Sequence, residues 1–320
     1  MIRRLAGGGR DLLRGGIEAS VATAGAVAGD FVGKRPDDPL AERDPGFIRR
    51  TLASYRALMH AYFRPKVRGL EHIPSEGPVL LVGNHSGGTL IADTFVFAYE
   101  FYDHFGADRD FHQLAHDLVF AVPGLATLRK YGTVPASHEN AERALDRGAA
   151  LLVYPGGDWE TYRPSWRSAE IDFAGRQGFI NLALAKDVPV VPVVSIGGQE
   201  TALFLSRGER VSKLLGLDRL FRLKVVPLQF APPWGFTVLD LPGRIPLPAQ
   251  ITIQVLPPID LRAEFGDEPD VEEVYRDIHT EMQLALDELA DDRDVPVVGT
   301  IGHRERGSEV ADELSRSRAD

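Results

Sequence analysis

A histidine that closes an apolar run is the first place in this chain where residue type and spacing suggest chemistry. Val79-Leu80-Leu81-Val82-Gly83 leads into Asn84-His85-Ser86-Gly87-Gly88. The run reads as a buried strand, and a helical pattern follows from Thr89 to Tyr99. Open α/β sheets take their ligands at the carboxyl ends of strands, beside helix starts. Imidazole is the side chain best suited to moving a proton near neutral pH. Two chemistries compete. In one, Ser86 is a nucleophile on a strand–turn–helix elbow, with Asn84 where the G-x-S-x-G pattern has glycine. That chemistry needs a later histidine, and those after His138 are His279, in a helical pattern, and His303, in a polar tail. In the other, His85 is the catalyst, Asp93 orients its imidazole, and the small residues after it admit a substrate to the backbone. The bland reading is a hydrogen-bonded core histidine in a tight turn.

Two more strand ends resemble the first. An apolar run from Ala150 to Tyr154 enters Pro155-Gly156-Gly157-Asp158-Trp159-Glu160, and one from Val188 to Ser195 enters Ile196-Gly197-Gly198-Gln199-Glu200. Parallel strands bring these junctions to one sheet edge, where glycine lets backbone approach a ligand. Around them, helical patterns cover Phe47–Phe63, Leu90–Tyr99, Asn140–Arg147 (closed by Gly148), Gly178–Ala185 and Asp270–Asp291. Gln250–Val255 reads as a strand, and Asp110–Ala115 as strand or loop. The alternation predicts a single α/β domain, a central mixed or mostly parallel sheet flanked by helices. It spans 46–292, after a flexible or weakly helical segment 1–45 that includes the linker-like Arg35-Pro36-Asp37-Asp38-Pro39, and before a polar, disordered tail 293–320. Phe47–Phe63 is amphipathic, with Ile48, Leu52, Tyr55, Met59 and Tyr62 on one stripe, suited to packing on the domain or lying on a membrane surface.

Composition narrows the classes. At 320 residues and 44% hydrophobic, the chain can build its own core. It has no cysteine, which excludes disulfides, thiolate catalysis and cysteine metal sites. Its nine histidines show no HExxH or similarly tight spacing, so no metal site is expected. No run approaches the roughly 18 apolar residues of a membrane-spanning helix. Ile17–Val32 lacks the clean apolar core of a signal peptide, and an intracellular protein is expected. The net charge of −10 argues against nucleic acid as partner. Residues 1–70 run the other way, with 13 Lys or Arg against 7 Asp or Glu, a basic part able to meet an anionic membrane.

Four blocks, in order, resemble the glycerolipid (lysophospholipid) acyltransferase superfamily over roughly residues 50–290. His85 through Asp93 resembles its H-x-x-x-x-D block, although the usual Asp position is Leu90 and Asp93 lies about one helical turn further on. Lys130-Tyr131-Gly132-Thr133-Val134-Pro135-Ala136-Ser137 resembles the glycine-centred second block, Tyr154–Glu160 the F-P-E-G block, and Val188–Val194 the apolar fourth. Gly175-Arg176-Gln177-Gly178-Phe179 and the P-G-G-x-x-E form of the third block resemble the diacylglycerol-acyltransferase-like branch rather than the 1-acylglycerol-phosphate acyltransferases.

The resemblance implies lipid metabolism, phospholipid biosynthesis included. It implies acyl transfer from acyl-CoA or acyl-carrier protein, a co-substrate rather than a cofactor, to a glycerolipid hydroxyl. His85 is the implied general base and Asp93 its orienting acid. Gly87, Gly88, Gly156 and Gly157 are the candidate oxyanion donors, Glu160 an acceptor contact, and Arg176 a phosphate contact. Arg163 and Arg167 read rather as surface residues. Trp159, Trp166 and Glu200 serve either the substrate or the scaffold. Gly156 replaces the family's Glu, which tilts the acceptor towards mono- or diacylglycerol. The expected location is cytoplasmic, peripheral on the cytoplasmic face of a membrane. A peripheral lipid-binding protein without turnover is the alternative, marked by His85 and Asp93 too far apart to hydrogen-bond.

Overall fold

The computed structural model describes residues 37–89, 91–121, 125–215, 225–240 and 243–293. Its central strands, Val79–Gly83, Ala150–Val153 and Val190–Ile196, are buried along their whole length, and strands of that kind must be covered on both faces. Seven strands form one sheet: β1 (Lys66–Arg68), β2 (Val79–Gly83), β3 (Phe111–Ala115), β4 (Thr133–Pro135), β5 (Ala150–Val153), β6 (Val190–Ile196) and, from late in the chain, Thr252–Val255. The last is β10, since β7 (Leu203–Ser206), β8 (Leu228–Ala231) and β9 (Gly235–Val238) form a separate antiparallel sheet. The large sheet runs β1-β10-β6-β2-β5-β3-β4. Strands β4, β3, β5, β2 and β6 are parallel, and β10 runs antiparallel to β6.

The covering helices are α1 (Pro45–Phe63), α2 (Ala92–Phe105), α3 (His138–Asp146), α4 (Gly157–Thr161), α5 (Gly178–Lys186) and α6 (Val271–Asp291). Period-two alternation divides the strands between two cores. Leu80, Val82, Leu151, Val190 and Val194 pack with α3, α5 and α6. Val79, Leu81, Leu152, Val191 and Val193 pack with α1 and α2. The predicted fold is thus observed, with strand and helix ends shifted by a few residues. The edge strands β1 and β4 and the whole small sheet went unread.

Residues 1–36 and 294–320 lie outside the described residues, and so does most of what was read as flexible amino-terminal segment and tail. What is described of the linker-like stretch is docked. Asp38 accepts the Leu40 N–H, pairs with Arg143 and Arg147, and precedes a buried Leu40. In α1 the predicted stripe divides. Ile48 is buried, Leu52, Met59 and Tyr62 are half-buried against the core, and Tyr55 is exposed while edging Tyr131. Arg49 and Arg56 pair with Asp108 and Asp103. No helix among the described residues is long and apolar enough to cross a membrane.

Candidate active site

Parallel pairing of β2 with β5 and β6 brings the three Gly-Gly junctions to one edge, as the sequence predicts. The turn after β2 is held there by hydrogen bonds along its backbone. The Asn84 side chain takes over from the ladder: its amide donates to the Ser195 carbonyl and its oxygen accepts the Ser195 N–H. The His85 N–H donates to Glu160 Oε2 at 2.9 Å and the Ser86 N–H to Asp93 Oδ2 at 3.1 Å. Gly87 donates to Gln199 Oε1, Gly88 to the Thr161 carbonyl and Thr89 to Asp240 Oδ2. Arg163 donates to the His85 carbonyl and Arg244 to that of Gly87. A buried turn cannot leave such groups unpaired without loss of stability, and three carboxylates and two guanidinium groups serve this one.

The His85 ring lies against the Tyr154 ring, 4.0 Å between centroids and 16° from parallel. Gly83 permits that stack, because a Cβ there would come within 2.5 Å of Tyr154 Cε1. The Tyr154 hydroxyl accepts from Thr94, whose own N–H donates to Asp93. His85 is buried, and its Nδ1 has no hydrogen-bond partner among the described residues. Burial, with the nearby Arg163 charge, lowers its pKa to about 3. The imidazole is therefore neutral at physiological pH, with a lone pair available to accept a proton.

Asp93 reaches the site but not the role assigned to it. Its Oδ2 accepts from the Ser86 N–H, Ser86 Oγ at 2.8 Å and Ser195 Oγ at 3.2 Å, and its Oδ1 accepts from Thr94. No hydrogen bond joins it to the imidazole among the described residues. The physical reason is local: α2 starts at Ala92, so Asp93 lies in its first turn and reaches back to Ser86. Burial raises its pKa to about 6. The same contacts remove the serine elbow. Ser86 is 1% exposed and donates to a carboxylate, while His279 contacts the Ile171 carbonyl and stacks on Tyr275; His303 lies outside the described residues.

Other assignments shift as well. The N–H groups of Gly87, Gly88 and Gly157 are engaged, the last with the Tyr154 carbonyl, and none of the three is open to an oxyanion. The Gly156 N–H makes no hydrogen bond to a described residue. Gly156 also makes room for Glu160: a Cβ there would lie 2.4 Å from Glu160 Oε2. Glu160 is wholly buried and accepts the N–H groups of His85 and Asp172. That makes it a positioning group rather than a headgroup contact. Its pKa rises to about 7 through burial, against the opposing pull of Arg163. Arg163 is not at the surface, as read, but buried, donating to the carbonyls of His85, Glu160, Arg167 and Ser168. Arg176 clasps the Pro155 and Gly156 carbonyls and Asp158 while staying partly exposed beside the junction. Glu200 pairs with Arg293 and Trp159 with Asp172, both scaffold contacts. Tyr154 and Gln199 fall in the predicted junctions without a role of their own, and Asp240 and Arg244 were missed; in sequence they look like ordinary polar residues.

An apolar groove of about 330 Å³ opens beside the start of α2, lined by Leu58, Met59 and Tyr62 of α1, Ala92 and Phe95 of α2, and Ile245. Among the described residues no group of His, Asp and Glu is arranged to hold a metal ion.

Comparison with known proteins gives this geometry its context. Residues 64–196 match the family model described as Acyltransferase. An uncharacterized protein of Mycobacterium tuberculosis is 30% identical over 218 residues, 67% of this chain and 58% of that protein. A human protein named "DGAT1/2-independent enzyme synthesizing storage lipids" is 29% identical over 225 residues, 65% of this chain and 62% of its own length. The Arabidopsis thaliana protein named "Phytyl ester synthase 2, chloroplastic" is 31% identical over 142 residues, 41% of this chain and 19% of the plant protein. The chain thus spans less than two thirds of the length of these relatives.

Proposed function

Because the chain belongs to the glycerolipid acyltransferase superfamily, through its acyltransferase domain at residues 64–196, we propose that it is an O-acyltransferase of lipids. In this reading it moves a fatty acyl group from a thioester, acyl-CoA or acyl-carrier protein, to a glycerolipid hydroxyl. One observation carries the reading: a neutral imidazole at the carboxyl end of β2, fixed by its own backbone and by its stack on Tyr154. The acceptor hydroxyl gives its proton to His85 as its oxygen attacks the thioester carbonyl. A C–O bond forms and the carbonyl electrons move to an oxyanion, for which the Gly156 N–H is the donor left open. Collapse breaks the C–S bond, and the thiolate departs with the proton returned by the imidazolium. The enzyme supplies no nucleophile.

Asp93 serves this reaction as a positioning residue through Ser86, and Arg176 is the cation for a donor phosphate. The apolar groove suits an acyl chain. Relatives named for storage lipids and phytyl esters, and glycine at position 156, favour a neutral acceptor such as mono- or diacylglycerol. The test is transfer of labelled palmitoyl-CoA to a panel of glycerides, lysophospholipids and water. His85→Ala is expected to lower lipid transfer about 10²–10⁴-fold. Turnover that survives in His85→Ala sinks the general-base role. The missing His85–Asp93 hydrogen bond favours a second reading, a lipid-binding protein without turnover. Saturable lipid binding with no transfer to any acceptor would establish it.

A further inference from the structure

The small sheet is apolar on the face that an antiparallel sheet ordinarily turns to water. Such a sheet turns apolar side chains inward and polar ones outward. Here Leu203, Leu228, Phe230, Phe236 and Val238 are all exposed. They are also contiguous, since Leu203 is the register partner of Phe230, Phe230 of Phe236, and Leu228 of Val238. The Phe230 and Phe236 rings are 5.0 Å apart. Phe236 is 71% exposed, and Trp234, in the turn between β8 and β9, 51%. Scattered exposed apolar residues are ordinary; a continuous apolar sheet face beside an exposed tryptophan marks an interaction surface. Inward, Gln229 donates to Asp240, which holds the Thr89 N–H and pairs with Arg244. The inner face thus joins buried Phe204 and Ala231 to Gln229, which serves the turn that carries His85, while the outer face is apolar and uncovered.

Charge selects the occupant. The chain is acidic overall, yet the helix that follows β7, Glu209–Leu215, carries Arg210 and Lys213, both exposed. Apolar and aromatic side chains together with such cations match an anionic lipid surface, which takes the first into its acyl boundary and the second onto its headgroups. In a two-fold pair the face would meet itself, which sets cation against cation. The sheet also lies outside the stretch that matches the acyltransferase model.

We propose that the outer face of β7–β9, with Trp234, docks on a bilayer and so holds the His85 turn at the water–lipid boundary. The purpose of this docking rests on the acyltransferase reading. Its test uses the full chain and vesicles of phosphatidylcholine with phosphatidylglycerol, read by co-sedimentation. Trp234→Ser/Phe236→Ser, both at exposed positions, is compared with Leu284→Ser, which removes a similarly exposed apolar side chain from α6. Wild type and Leu284→Ser are expected to bind, and the double variant at least about tenfold more weakly, given the apolar area withdrawn from the lipid. A wild type that does not bind, or a double variant that binds as well, overturns the proposal. So does a change from dimer to monomer in the double variant with vesicle binding unaltered, which assigns the face to a second copy. Transfer between a soluble short-chain thioester and a soluble acceptor is assayed in parallel. If wild type lacks that transfer yet the vesicle results come out as expected, the acyltransferase reading fails and the docking surface stands.

Discussion

The two sheets handle apolar side chains in opposite ways. In the seven-stranded sheet, Leu80, Leu81, Leu151, Leu152, Val190 and Val191 are buried on one face or the other. Polar residues gather beyond its carboxyl edge. In the three-stranded sheet, the outward positions are Leu, Phe and Val, and the inward ones include a buried Gln229. Burial in the first sheet stabilises the fold. Exposure in the second contributes nothing to stability in water, so those residues need another partner. The molecule thus separates where its stability resides from where it meets its surroundings, and the His85 turn lies between, tied to both.

The tie to the large sheet is the harder one to lose. Arg163 is the buried cation that accompanies Glu160 and holds the His85 carbonyl. Arg163→Met strips the buried His85, Glu160 and Ser168 carbonyls of their donor and Glu160 of its neighbouring cation, which together cost about 3–5 kcal/mol. Urea unfolding measures it, and transfer activity should fall with it. A loss below about 1 kcal/mol, the scale of an exposed ion pair, would mean that the turn does not depend on this residue.

Next in size is the aromatic contact. Gly83→Ala drives a methyl into the Tyr154 ring. Overpacking of this kind costs about 1–3 kcal/mol. Displacing a catalytic group by about an ångström costs roughly 10²-fold in rate. Activity should therefore fall out of proportion to stability, and equal activity in the two proteins would sink the positioning role of Tyr154.

The large sheet was legible because strands buried on both faces read as continuous apolar runs, and β2, β5 and β6 are such runs. β1 and β4, three residues each at the sheet edges, carry too little pattern. The small sheet alternates like an ordinary half-buried strand, but with its apolar side outward, and residues 207–227 separate its first two strands. His85 stood out because a titratable residue follows an apolar run directly. The residues that hold it did not: Arg163 and Arg244 lie far along the chain from the carbonyls they bind, and the Asp240–Arg244 spacing looks like an exposed helical pair. Asp93 was found by spacing and misassigned in role, because one helical turn decides whether a carboxylate meets the imidazole or the serine beside it.

Protonation tests the buried side of the comparison. Glu160 titrates at about 7 in the fold against 4.5 as an ordinary carboxyl, so its contribution is full below 4.5 and is lost as pH rises through 7. Asp93 acts alike between 3.8 and about 6. His85 opposes them: its contribution is full above 6.5 and is lost as pH falls towards 3. Where all three windows overlap, stability should drop with rising pH by about 1.4 kcal/mol per unit, the weight of one net proton. His85→Ala removes the opposing group and should steepen that drop. Urea unfolding across the overlap measures both slopes, and equal slopes would mean that the folded imidazole is charged.

The smallest effect is the most discriminating for the exposed side. Phe236 is a large aromatic residue in a strand, and deleting a buried one costs about 3–5 kcal/mol. This ring, however, faces solvent, so Phe236→Ser removes little that folding had gained. Its unfolding free energy should stay within about 0.5 kcal/mol of wild type, the range for surface changes. A loss of several kcal/mol in water would show the face already covered in the free protein and erase the contrast between the sheets. No change in water, joined to weaker vesicle capture, separates the two roles: one sheet holds the fold together, and the other keeps its apolar area for a lipid surface.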